Sequence, residues 1–154
     1  MKICQIDTTN LPPASIFVDA STTAIVVARL FLPERRVVVD FPDTFLCQPY
    51  SANEMEYFAI EAGIVSARGV YRDGPTVPVF SDSQLAVRQI NGEYQVNAPH
   101  LQVHVRWVRA LVATIKEVLG IDVPIVYVAR ENNLAGRCID NDIFTNVEEF
   151  CRFT

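Results

Sequence analysis

Apolar residues along this chain recur with two different periods, and the changes between them mark out its elements. Short β-branched and aromatic runs come first: Ile16, Phe17 and Val18 before Asp19, then residues 24–32, then residues 36–40, with Pro33 and Glu34 supplying a turn. Three such runs in succession predict an antiparallel meander. From Ser51 the spacing becomes helical, with Met55, Phe58, Ala59, Ala62 and Val65 recurring on one face. Ser51 and Glu54 fit a capping box, in which hydroxyl and carboxylate satisfy each other's backbone N–H groups. Residues 77–80 form a brief apolar strand with Pro78 near its start. Residues 81–90 then return to helical spacing until Asn91 and Gly92 stop them.

The best-defined helix follows. Pro99 suits its first turn, Leu101, Val105, Val108, Leu111, Val112, Ile115 and Leu119 line one side, and Gly120 is its C-terminal stop. Residues 123–128 are apolar and largely β-branched, as a strand covered on both faces would be. A polar stretch and a final weak helix near residues 147–153 end the series, which reads βββ-α-β-αα-β-α. That order predicts an α/β fold: a mixed five-stranded sheet, three strands antiparallel and then two parallel, with helices on both faces. Ligands gather beyond the carboxyl ends of parallel strands in such sheets. Asp19 ends the first strand and Asp82 ends the fourth, so parallel pairing of these two strands brings both carboxylates to one edge. Glu56 lies in the first turn or two of a helix that can begin beside them.

With 154 residues, half of them hydrophobic and 20% charged, the chain suits a single well-buried domain over residues 15–154, with residues 1–14 as a lead-in segment ending in Leu11-Pro12-Pro13. The apolar run at 24–32 is too short to span a bilayer and is interrupted by Arg29, so no membrane association is expected. Residues 1–7 lack the apolar run of a secretory signal, and a cytoplasmic location is the expectation. Cys4, Cys47, Cys138 and Cys151 show no paired spacing and read as reduced structural thiols. A net charge of −5 sets a condition on any nucleic-acid binding, since phosphate affinity normally comes from Lys and Arg. Such binding would have to be local, weak or metal-assisted.

Three ionised carboxylates gathered within a few ångströms repel one another, and one of them takes up a proton unless a cation is present. Oxygen-only ligation suits Mg²⁺ or Mn²⁺. Two such ions about 4 Å apart can activate water for in-line attack on a phosphodiester and neutralise the leaving oxygen. Each of Asp19, Glu56 and Asp82 taken alone suits a cap, a turn or a solvated helix position. Their joint placement is what points to a metal.

At these residues the sequence resembles the ribonuclease H family, over about residues 16–128 and more weakly through Asn133. Phe-Val-Asp-Ala-Ser at 17–21 is similar to the family's first-strand aspartate segment, and Ser-Ala-Asn-Glu-Met-Glu-Tyr at 51–57 to its catalytic-glutamate helix start. Ser-Asp-Ser-Gln-Leu-Ala-Val-Arg-Gln-Ile-Asn-Gly-Glu-Tyr at 81–94 is the most specific match, to the third-carboxylate segment of small single-domain and reverse-transcriptase-like members. Val-Ala-Arg-Glu-Asn-Asn at 128–133 resembles the segment leading to the last catalytic aspartate.

The resemblance implies a metal-dependent endonuclease that cuts the RNA strand of RNA–DNA hybrids with two Mg²⁺ or Mn²⁺ ions. Asp19, Glu56 and Asp82 would be catalytic metal ligands, and Ser51, Asn53 and Gln84 would contact the hybrid. Two departures alter the picture. Asn133 is followed by Leu-Ala-Gly-Arg, so Arg137 stands where the family has its fourth carboxylate. Asp140, one helical turn on, could supply that ligand, while Arg137 could contact the scissile phosphate or block the second metal. The family's Gly-rich loop after the first aspartate is replaced by Ala-Ser-Thr-Thr-Ala at 20–24, which bears on recognition of RNA 2′-hydroxyls. The alternatives are a non-catalytic module binding nucleic acid or a protein partner, and a nuclease with another nucleic-acid substrate. Elsewhere, His100 and His104 lack a third ligand for a metal. Arg88, Arg106 and Arg109 suit a solvated helix face more than a phosphate track, and Trp107 suits a core or half-buried anchor.

Overall fold

The structure is a computed structural model that describes residues 6–42, 50–66, 70–72 and 74–140. Its five strands form one sheet in the order β3-β2-β1-β4-β5. β1 (Ala14–Ala20), β2 (Ile25–Phe31) and β3 (Arg36–Asp40) make the antiparallel meander, whereas β4 (Val79–Ser81) and β5 (Ile125–Tyr127) run parallel to β1. The predicted mixed sheet is therefore the one formed. β1 is longer than its apolar run suggests, and Asp19 sits inside the strand opposite Val26 rather than at its end.

β5 departs from expectation in a second way. It lies at the sheet edge, and burial falls along it from Ile125 through Val126 to Tyr127, which is 46% exposed. The continuous apolar run at 123–128 thus reflects one anchored end rather than cover on both faces.

Alternation along the strands divides the core in two. Ile16, Val18, Val27 and Val79 face one side, where they meet α1 (Ala52–Ser66), α2 (Gln84–Ile90) and α3 (Pro99–Leu119) through Met55, Ile60, Ile64, Val87, Val105 and Val108. Phe17, Val26, Ala28, Leu30, Val37 and Val39 face the other, covered by Leu134, Ala135 and Cys138 of α4 (Leu134–Asp140). Helices on both faces follow directly from that alternation. Ile6 and Leu11, from the stretch read as a lead-in, pack on this second face too.

The helix ends match their local signals. Ser51 Oγ accepts from Glu54 N at 3.2 Å while Glu54 Oε1 accepts from Ser51 N at 3.3 Å, which closes the capping box. Gly120 ends α3 with φ +70°, a left-handed conformation suited to glycine. α4 forms where the sequence shows a polar stretch, and its start is set by Asn133, whose Oδ1 accepts from Ala135 N at 3.1 Å. The weak helix expected near 147–153 lies outside the described residues, as do Cys4, Cys47 and Cys151. Cys138 is a buried free thiol. No helix among the described residues is long and apolar enough to cross a membrane.

Candidate metal centre

The parallel pairing of β1 with β4 builds the site. Ile16, Phe17 and Val18 lie opposite Val79, Phe80 and Ser81, so Asp19 and Asp82 are the next residues of the same register. Phe17 and Phe80 stack beneath them with ring centroids 5.0 Å apart. α1 begins beside this edge and contributes Glu56. One ligand oxygen from each of Asp19, Glu56 and Asp82 falls within 4.8 Å of the others.

Asp19 is fully buried and the other two are half-buried. Asp19 Oδ1 and Glu56 Oε2 are buried without any hydrogen-bond partner. Two acceptor oxygens left without a donor cost several kcal/mol if both are ionised, so either a proton or a cation belongs with them. In the metal-free protein the proton is favoured: burial, then the charges of Asp19 and Asp82, push Glu56 up to about 8. Burial and then Asp82 push Asp19 up to about 6, against the opposing pull of Arg130. An all-oxygen, mutually repelling and under-satisfied set fits a hard divalent cation, which Asp19, Glu56 and Asp82 would hold.

Sequence reasoning did not find Arg130, which enters this cluster from the single-turn 3₁₀ helix Arg130–Asn132. Its Nη1 donates to Asp19 Oδ2 and, at 2.8 Å, to Asp82 Oδ2. Its other edge holds Asp140, with Nη2 at 2.8 Å from Oδ1 and Nε at 3.3 Å from Oδ2. Asn133 was also missed as a site residue. It is fully buried, and its Nδ2 donates to the Val18 carbonyl at 3.0 Å and to Asp82 Oδ2 at 3.1 Å. Both residues lie in the segment at 128–133 that carries the weaker part of the resemblance, and membership of that segment is the available signal.

The remaining expected residues fall in different places. Among the described residues Asp140 is joined to the cluster through Arg130 alone and lies outside the group of three, because α4 carries it to its exposed last position. Arg137 turns its Nε to the Glu131 carbonyl at 2.7 Å. Ser51 and Asn53 are exposed at the start of α1, and Gln84 is exposed at the start of α2, where Ser83 rather than Gln84 caps the helix.

His104 pairs with Glu61 at 2.8 Å and stacks on Tyr57, which gives it a structural partner on α1. Arg109 donates to the carbonyls of Ile90 and Gln89, and Arg88 contacts Glu93 and Tyr94, so two of the three arginines of that face are engaged locally. Trp107 is 54% exposed, contrary to its reading as an anchor, since α3 turns that side away from the sheet.

This arrangement of sheet, crossover helices and carboxylate edge is a ribonuclease H-like fold, as the sequence resemblance implied. The chain is similar to the N-terminal RNase H domain of a Mycobacterium tuberculosis protein, solved as a fusion with maltose-binding protein, at 20% identity and a TM-score of 0.63, covering 84% of this chain and 91% of that one. It is similar to RNase H1 from the halophilic archaeon Halobacterium salinarum NRC-1 at 21% identity and a TM-score of 0.53, covering 83% and 96%. A third likeness is to LC11-RNase H1 in complex with an RNA/DNA hybrid, at 18% identity and a TM-score of 0.51, covering 78% and 86%. No family model and no curated protein matches the chain.

Proposed function

We propose that this protein is a divalent-metal-dependent nuclease that hydrolyses phosphodiester bonds, with the RNA strand of an RNA–DNA hybrid as its substrate. The observation that carries the reading is the gathering of Asp19, Glu56 and Asp82 at the carboxyl edge of β1 and β4, with two buried oxygens left without donors. Mg²⁺ or Mn²⁺ bound there would supply an activated water and neutralise charge on the leaving oxygen. Asp19, held rigidly inside β1, fixes the position of the site, and Asn133 orients Asp82. Glu56, whose carboxyl is pushed up to about 8 by burial and by Asp19 and Asp82, would give up its proton to a cation held there. Asp140 stands one guanidinium away, paired with Arg130. The hybrid bound to one structural neighbour supports the choice of substrate.

A second reading, a non-catalytic module that binds nucleic acid or a protein partner, is favoured by Arg130, whose guanidinium already bonds Asp19 and Asp82 and offsets part of their charge. The test is incubation of the protein and its Asp82→Asn variant with labelled RNA–DNA hybrid and matching DNA duplex, each with Mg²⁺, Mn²⁺ or chelator. Metal-dependent loss of the hybrid's RNA strand that the variant lacks supports the nuclease. Hybrid binding with no cleavage under any condition supports the module, and cleavage without preference for hybrid revises the substrate.

A further inference from the structure

We propose that Arg130 is a seated internal counter-cation that competes with divalent metal for Asp19 and Asp82 and so sets the affinity of the centre for its ion. The inference rests on the reading of Asp19, Glu56 and Asp82 as metal ligands. Nη1 of Arg130 is bonded to one oxygen from each of two carboxylates, Oδ2 of Asp19 and Oδ2 of Asp82. Asp19 and Asp82 are carboxylates that would hold a divalent ion, and a guanidinium bonded to both already offsets the negative charge that would draw the ion in. Like charges gathered at one pair of carboxylates repel strongly in a partly buried site. An ion held by Asp19 and Asp82 is therefore opposed by Nη1, and its binding favours displacement of the guanidinium.

The guanidinium is held on more than its carboxylate side. A Cβ placed on Gly136 would lie 3.0 Å from Cζ and from Nη1 and 3.1 Å from Nε, so the bare glycine opens the space in which the group lies. Asp140 grips the opposite edge through two hydrogen bonds. The Arg130 side chain is 43% exposed and Asp140 53% exposed, so the departing guanidinium has a path toward solvent on which Asp140 remains its partner. Asp140 acts here as the counter-ion of the released arginine.

The test is calorimetric titration of the full chain with Mn²⁺, without nucleic acid, for the wild type and for Arg130→Gln, Gly136→Ala and Arg106→Gln. Each is repeated in an Asp82→Asn background to assign the heat to this site. Arg130→Gln is expected to bind Mn²⁺ at least about tenfold more tightly than the wild type, because a positive charge and two charge-assisted bonds no longer oppose the ion. Gly136→Ala, which crowds the seat with all charges kept, is expected to shift affinity in the same direction. Arg106→Gln removes an equal charge on the exposed part of α3 and should stay within about twofold of the wild type.

Equal affinity in the wild type, Arg130→Gln and Gly136→Ala, at a site lost with Asp82→Asn, would overturn the competition and leave the metal reading standing. Weaker binding by Arg130→Gln would overturn it as well, since the arginine would then organise the centre for metal. Absence of Mn²⁺ binding in every protein would overturn the metal reading and the competition with it. If Arg130→Gln does not fold by circular dichroism, Gly136→Ala and Arg130→Lys carry the comparison by the same criteria.

Discussion

Asn133 and Asp82 are hydrogen-bonded across the carboxyl edge of the sheet, with Nδ2 of the amide 3.1 Å from Oδ2 of the carboxylate. The same nitrogen donates to the Val18 carbonyl, and the amide oxygen caps α4 at Ala135 N. One buried side chain thus ties β1, the residue after β4 and the start of α4 to the candidate metal centre. Asn133→Ala is expected to lower stability by about 2–3 kcal/mol, since it leaves a buried carbonyl and a helix N–H without partners. Asn133→Asp should cost more, because a carboxylate cannot donate to Val18 and adds charge beside Asp82. Urea denaturation of the three proteins measures both; an unchanged midpoint for Asn133→Ala would show that water replaces the amide without loss.

The parts of this fold that could be read from the sequence are those with local causes. The Ser51–Glu54 box and the Pro99 and Gly120 boundaries act within a few residues, and each appears where expected; α1 also forms, but it buries Met55, Tyr57, Ala59, Ile60, Gly63 and Ile64 and leaves Val65 50% exposed, so its core face is turned from the one the spacing suggests. The meeting of Asp19 with Asp82 needed one step more, the parallel pairing of two strands, which the order of elements supplied. Arg130 was not legible because its partner Asp19 is 111 residues away, and a 3₁₀ turn after β5 has no periodicity to announce where its side chain will point. α4 was missed because seven residues are too few to show a helical repeat beyond Leu134, Ala135 and Cys138. The Asn133 cap was its one available sign. The edge position of β5 depended on what lies beside it, which the composition of 123–128 does not encode.

Gly63 sets how closely α1 lies on the sheet. A Cβ at this position would overlap Cγ1 of Val18 and lie 3.5 Å from Cγ2 of Ile16, both fully buried on β1. Gly63→Ala gains helix propensity worth about 1 kcal/mol, yet overpacking at such a contact costs about 1–3 kcal/mol. The clash falls on the middle of the strand and α1 also carries Glu56, so the whole helix must move outward. The expected result is a net loss of stability together with weaker Mn²⁺ binding; a more stable protein with unchanged metal affinity would show that β1 yields at no cost.

The metal-free protein should lose stability as pH rises from about 4 to about 8. Glu56 has an ordinary value of 4.5 and is pushed up to about 8, and Asp19 goes from 3.8 to about 6, so the folded state holds protons that the unfolded chain has released. A raised folded pKa gives stability that is full below the unfolded value and is lost as pH climbs through the folded one. Glu56→Gln removes the larger of these two contributions. It should be more stable than the wild type at pH 8.5 in chelator by about 2 kcal/mol, and the gap should shrink toward pH 4.5. Thermal melts across this range read the difference, and a gap independent of pH would mean that Glu56 is not the group titrating.

Metal binding should expel the same protons. An ion can use Glu56 only in its ionised form, so below about pH 8 each binding event must displace the proton that burial and the neighbouring carboxylates hold there. Mn²⁺ affinity is therefore expected to rise with pH between about 6 and 8 and to level off above, by up to about tenfold per pH unit while one proton is displaced. Calorimetry in two buffers of different ionisation enthalpy at pH 7 should report release of roughly one proton per ion, falling toward zero near pH 9. Glu56→Gln should abolish most of that release at pH 7, while the part due to Asp19 persists near pH 6, where that carboxyl titrates. Release unchanged by Glu56→Gln would place the proton elsewhere and remove Glu56 from the ligand set.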